Sequence, residues 1–203
     1  MIKVIDNFLS PSYCNSIYEL AKHRLSYQYT GGTSWEYEQD APNLLPDPLI
    51  KDVGQFTCGV FNGDVQQPLP YGWAFEQLRP IHHIFVDMFP DLGIKGTNRA
   101  KFNILLQRED MIGCYNQPHV DEEVPSWSIV YYLNDSDGDT VIFNEMYTDK
   151  PTPLKLTVKE RVSPKKNRAV LFEANRYHAS SNPVVSQARF VLNWVFWTGK
   201  LNE

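Results

Sequence analysis

Six short segments in the second half of this chain limit its fold more than any other feature. Ala100–Gln107, Ser126–Leu133, Asp139–Met146, Leu154–Val162, Arg168–Glu173 and Val184–Trp197 are rich in β-branched and aromatic residues, with turn-forming residues between them. Runs of that length and composition are strands. The Asp137-Gly138 pair at the end of the stretch Asn134 to Gly138 signals a hairpin between two of them. Closely spaced strands without intervening helices predict a barrel or sandwich rather than a parallel α/β sheet.

The first half reads differently. Residues 2 to 9 suggest a short strand, and Ser10-Pro11 opens a helix with Ile17, Leu20 and Ala21 on one face. A second helix is expected from about 72 to 89, where Trp73, Gln77, Ile81, Ile84, Phe85 and Met88 recur at three- and four-residue intervals and Pro80 should bend it. Between the helices, residues 27 to 72 lose periodicity and gather Gly31-Gly32, Asn62-Gly63 and prolines at 42, 46, 48, 68 and 70. An irregular excursion of that length is a candidate lid, with Trp35, Tyr37, Phe56, Phe61 and Tyr71 to close over a bound molecule. The expectation is one α+β domain over residues 1–203, mainly β with bracing helices: helices and lid in 1–95, the β core in 96–200.

Composition narrows the function classes. The formal net charge of −5 leaves no basic face for nucleic acid or acidic lipid. The opening MIKVIDNFLS lacks the apolar stretch of a signal peptide, and no apolar run approaches the roughly 18 residues of a membrane helix, so a cytoplasmic protein is expected. Cys14, Cys58 and Cys114 are odd in number and widely spaced, which suits a reducing compartment.

Phosphate-loop, nucleophile-elbow, HExxH and dinucleotide-binding motifs are all missing. Asp135, Asp137 and Asp139 imitate a calcium loop around Gly138, but its first and last positions would be Leu133 and Asn144, so a solvated turn is the reading. Of five histidines, His82 and His83 are helical neighbours pointing about 100° apart, and His23 sits near a helix end where cations are favoured. His119-x-Asp121 is different, because residues i and i+2 on a strand share a face and can meet one ion. Chance alone gives such a pair in a chain of this composition about as often as not. What singles it out is His178, within the same β half. Two imidazoles and one carboxylate form a facial triad, which suits Fe(II) and leaves positions open for chemistry. Arg189 opens the final aromatic strand, and a guanidinium there wants an anion: a protein carboxylate, or a dicarboxylate that also reaches the metal.

Taken in order, His119-x-Asp121, the strand from Ser128 to Asn134, the Asp-Gly hairpin, His178 and Arg189 resemble the Fe(II)- and 2-oxoglutarate-dependent oxygenases, specifically their prolyl 4-hydroxylase-like branch. The opening DNFLSPSYCNSI resembles that branch's first strand and helix, and only residues 27 to 72 fall outside the likeness. The resemblance implies a double-stranded β-helix (a cupin-like jelly roll) with iron at its open end, and His119, Asp121 and His178 as metal ligands and catalytic centre. It implies Arg189 on the distal carboxylate of 2-oxoglutarate, supported by Tyr132, whose other reading is core packing. Where related hydroxylases place a tyrosine before the metal motif, this chain has Asn103, Leu105 or Gln107; Tyr115 either substitutes or lines the substrate mouth. The interval from His178 to Arg189 is also slightly long, which predicts a longer loop between the last two strands.

The activity so implied is hydroxylation of an unactivated C–H bond of a prolyl residue, an amino acid or another small molecule or peptide. O2 would be consumed, succinate and CO2 released, and ascorbate would serve as reductant. Two rivals stand beside it. A catalytically inactive metal-binding jelly roll, a sensor or structural protein, would not need Arg189; a zinc hydrolase would need a general base that no spacing nominates.

Overall fold

The computed structural model describes residues 1–31, 44–51, 53–63, 69–149 and 154–199. Among these residues ten strands and two α-helices follow one another: β1 (Lys3–Ile5), α1 (Pro11–His23), β2 (Gln28–Thr30), β3 (Gln55–Asn62), α2 (Gly72–Met88), β4 (Gly96–Leu106), β5 (Trp127–Tyr132), β6 (Thr140–Met146), β7 (Val158–Val162), β8 (Arg168–Glu173), β9 (Arg176–Ser180) and β10 (Ala188–Trp197). Seven strands form one sheet in the order β1-β8-β5-β10-β4-β3-β2, and three form a second, β7-β6-β9; every pairing is antiparallel. This is the mainly β architecture with two bracing helices that the sequence predicts.

Period-two alternation sorts each strand into two faces. On β10, Leu192, Trp194 and Phe196 join the core against the helices, with Phe102 of β4, Ile129 and Tyr131 of β5 and Phe85 of α2. The opposite face of the same strands carries Val191, Val130 and Tyr132, which meet Ile142, Val162, Val170 and Phe172 between the two sheets. The polar residues Arg189 and Asn193 share that inner face with Val191, so the strand register alone aims them into the space between the sheets.

The helices cover the outer face. Ser10 caps α1 by accepting from the amide of Tyr13 (3.4 Å), and Cys14, Ile17, Leu20 and Ala21 are buried. On α2 the buried stripe is Ala74, Leu78, Ile81 and Phe85, and the helix continues through Pro80. Trp73 and Met88, assigned to the apolar face from spacing, are 43% and 45% exposed. Ile81 and Phe85 of the expected face are buried and Ile84 packs against the same core, while Ala74 and Leu78 complete the stripe in place of Trp73, Gln77 and Met88.

Residues 27 to 72 are not wholly irregular: β2 and β3 lie within them and extend the large sheet beyond β4. Phe56, Cys58 and Val60 do alternate with Gln55, Thr57 and Gly59, but the pattern is short and hidden among glycines and prolines. Phe56 and Phe61 are thus strand residues, and Tyr71 immediately precedes α2. Trp35 and Tyr37 lie outside the described residues.

The connection after β5 is neither the expected hairpin nor a solvated turn: β5 pairs with β8 and β10 while β6 pairs with β7 and β9, so Asp137-Gly138 carries the chain from the large sheet to the small one. The Asp137 carboxylate accepts from the amides of Val184, Val185 and Ser186 (2.8–2.9 Å), fixing the 181–187 connection between β9 and β10. A side chain on Gly138 would meet the Ser181 carbonyl at 2.5 Å, so the close approach requires glycine. Among the described residues no helix is long and apolar enough to cross a membrane.

Candidate metal and dicarboxylate site

His119 and Asp121 lie in the connection between β4 and β5, and His178 lies on β9. His119 is not in a full strand. It forms an isolated antiparallel bridge with His178, each donating its amide to the other's carbonyl at 2.9 Å, while the Asp121 amide bonds Ala174 (2.9 Å). These backbone bonds join the loop to the small sheet and bring one donor atom from each of His119, Asp121 and His178 within 4.8 Å of the others.

Hydrogen bonds orient all three. The Nδ1 atoms of His119 and His178 face the carbonyls of Gln117 (3.2 Å) and Arg176 (3.1 Å). A carbonyl only accepts, so Nδ1 carries the proton in each neutral ring and Nε2 takes the lone pair, the form a metal ligand needs. The Asp121 carboxylate is fully sequestered: Oδ1 accepts from Arg99 Nη2 (2.6 Å), and Oδ2 accepts from Ser128 Oγ (2.6 Å) and Asn193 Nδ2 (3.2 Å). Burial opposes ionisation of Asp121, but the adjoining His178 imidazole and the Arg99 guanidinium outweigh it and hold the carboxyl well below its usual range. Burial, then the neighbouring His178, pushes His119 down to about 3, and burial lowers His178 as well. Two neutral imidazoles and one carboxylate result at neutral pH, a donor set that fits ferrous iron.

A cleft runs from this triad between the sheets to Arg189, lined by Lys101, Asn103, Val130, Thr140, Val191 and Asn193 among others. Arg189 is 3% exposed, donates Nη2 to Thr140 Oγ1 (2.7 Å) and lies 5.6 Å from the centre of the Tyr132 ring. The Tyr132 and Thr140 hydroxyls are 2.7 Å apart. No carboxylate pairs with Arg189 among the described residues, and its Nε is buried with no hydrogen-bond partner. Asn103 Oδ1 and Asn193 Oδ1, on the same inner face, are likewise unsatisfied. Buried polar groups are normally paired, so three such atoms around one cleft point to a polar ligand missing from the protein's own hydrogen-bond network.

Of the sequence candidates, the structure gathers the triad, Arg189, Tyr132 and Asn103 around this cleft. It does not bring Tyr115 there. That ring packs on Phe143 at 5.3 Å, donates to Asp47 (2.5 Å) and lines a separate recess with Leu44, Pro46 and Ile50. Tyr115 is buried there with Val141, Phe143 and Ala179, on the face of the small sheet opposite His178. Arg99, Lys101, Ser128, Thr140 and Asn193 have no sequence motif. Their signal is parity: Arg99 and Lys101 share a face with Asn103, Ser128 with Tyr132, and Asn193 with Arg189.

Residues 105–197 match the model of the 2OG-Fe(II) oxygenase superfamily. No curated protein matches the chain. Among solved structures, an oxidoreductase of the 2OG-Fe(II) oxygenase family from Burkholderia pseudomallei is 13% identical with a TM-score of 0.65, covering 98% of this chain and 86% of that one. A Pseudomonas putida prolyl-4-hydroxylase is 14% identical with a TM-score of 0.56, covering 96% and 91%. The epimerase SnoN in complex with Fe3+, alpha ketoglutarate and nogalamycin RO is 11% identical with a TM-score of 0.60, covering 96% and 78%. At these identities the structural likeness establishes the fold, a double-stranded β-helix, over nearly the whole chain. The matched segment carries His119, Asp121, His178 and Arg189, so the residues of the candidate site lie within the part of the chain whose sequence is similar to the 2OG-Fe(II) oxygenase superfamily.

Proposed function

We propose that the protein is an Fe(II)- and 2-oxoglutarate-dependent hydroxylase, one catalytic domain spanning residues 1–203, acting on a prolyl residue, an amino acid or a related small molecule or peptide. The observation that carries this reading is one cleft with two neutral imidazoles and one carboxylate gathered at one end and a buried, carboxylate-free arginine at the other. His119, Asp121 and His178 are the metal ligands. Arg189, aligned by Thr140 and Tyr132, receives the distal carboxylate, since its planar fork matches a carboxylate and its burial makes an unpaired charge costly. Asn103 meets the middle of the cosubstrate. Ferrous iron held by this triad, with 2-oxoglutarate bound between it and Arg189, would supply O2 activation for oxidation of a C–H bond, with succinate and CO2 as coproducts and ascorbate as the reductant. The protein's own part is to position ligands, shield the cleft and hold Asp121 ionised. An inactive metal-binding module accounts for the triad but leaves Arg189 without purpose.

Succinate formation from 2-oxoglutarate with Fe(II) and O2 tests this reading. Wild-type protein should turn over slowly even without its own substrate, and His119→Ala and Asp121→Ala should not. Turnover that survives both substitutions would show that the metal lies elsewhere.

A further inference from the structure

Lys101 lies on β4 opposite Asn193 of β10, the residue whose amide donates to Asp121, so it stands level with the triad rather than with Arg189. Its side chain lines the same cleft. Its charge acts on His119, Asp121 and His178 alike. No hydrogen bond or ion pair holds the ammonium among the described residues, and none of the cleft-lining residues is a carboxylate. On the far side Lys101 pairs with Gly59 of β3, an exposed residue with no side chain, so the floor beside the lysine is bare backbone reached by solvent, with the Leu69 side chain at its edge, 3.5 Å from where a Cβ on Gly59 would stand.

We propose that Lys101 anchors a carboxylate of the primary substrate, which enters across Gly59, and that the enzyme therefore acts on an anionic acid rather than on a neutral peptide segment. The inference rests on the oxygenase reading above and follows from charge. A ferrous ion and Arg189 together outweigh a dianionic cosubstrate, and Arg99 cancels Asp121. Lys101 thus adds a positive charge that neither the protein nor the cosubstrate offsets, and a half-buried cation is stabilised by an anion. The cosubstrate's carboxylates have Arg189 and the metal; the position of Lys101 beside the open floor serves a second molecule.

The test uses Mn(II)-loaded protein saturated with 2-oxoglutarate and trifluoroacetate as a carboxylate probe, reading the paramagnetic broadening of its fluorine resonance. Wild-type protein should broaden the probe, Lys101→Arg should retain the effect, and Lys101→Met should weaken probe affinity about tenfold. Metal-dependent 2-oxoglutarate affinity should be the same in all three. Equal broadening in wild type and Lys101→Met, or none in either, overturns the proposal. A loss of 2-oxoglutarate affinity in Lys101→Met overturns it too, by assigning the lysine to the cosubstrate. If wild-type protein shows no metal-dependent 2-oxoglutarate binding at all, the oxygenase reading itself has failed.

Discussion

The two ends of the cleft are built differently. At the inner end Arg189 is fully enclosed, bonded to a neutral hydroxyl and packed on an aromatic ring. Its buried Nε lacks a partner, so that end is rigid and short of one anion. At the triad end every oxygen of Asp121 is already bonded, while Lys101 beside it is untied and faces an open floor. The contrast separates two tasks. A constant dicarboxylate can be met by fixed, preorganised groups, whereas a substrate that must arrive and leave is met by a flexible cation at an entrance.

Substitutions at each end should break the two tasks apart. Asp121→Ala has the largest expected effect: it removes one ligand and leaves Arg99 facing the metal, so iron binding and succinate formation should fall to background by metal analysis and product assay. Arg189→Met should weaken 2-oxoglutarate binding by about 2–5 kcal/mol while metal affinity, measured by equilibrium dialysis, stays unchanged. Loss of metal in that variant would mean the two ends are one structural unit. Arg99→Met removes the charge that keeps Asp121 ionised without touching the ligands, and metal affinity should drop roughly 10–100-fold.

Acid should act on the triad end. The folded protein holds His119 at about 3, below the ordinary 6.5, so between those values the unfolded chain binds the extra proton and folding is weakened as pH falls. Metal-free protein should lose about 1.4 kcal/mol of stability per pH unit for this group across that window in denaturant titrations. His119→Gln should flatten the slope. The smallest effect is expected from Thr140→Val, which removes one hydrogen bond to Arg189 and should cost about 1 kcal/mol in 2-oxoglutarate affinity alone.

Much of this arrangement was legible in the chain. Most core strands followed from β-branched runs, and α1 from its Ser-Pro start, because these signals are local; Asp137-Gly138 marked a turn but not a hairpin, since the strands it joins pair with distant partners in different sheets. The triad was legible as His119-x-Asp121 plus a distant His178, although the pair turned out to sit on a bridged loop held by backbone bonds to Ala174 and His178. Other features were hidden because they depend on register between strands far apart in sequence. Lys101 and Asn193 face each other across 91 intervening positions, and nothing local to either marks it as part of the site. Tyr115 was misplaced for the reverse reason: nearness in sequence to His119 said nothing of the turn that sends its ring to the other side of the small sheet. β3 was missed because five prolines nearby outweighed its brief alternation.

The central claim is that one cleft binds a metal and a 2-oxo dicarboxylate together. Anaerobic titration of the Fe(II)-loaded protein with 2-oxoglutarate tests it most directly, because chelation of ferrous iron by a 2-oxo acid produces a visible charge-transfer absorption. Wild-type protein should show a saturable band, Arg189→Met should need far more 2-oxoglutarate to reach it, and Asp121→Ala should show none. Correctly folded wild-type protein that binds iron but gives no band would contradict the account.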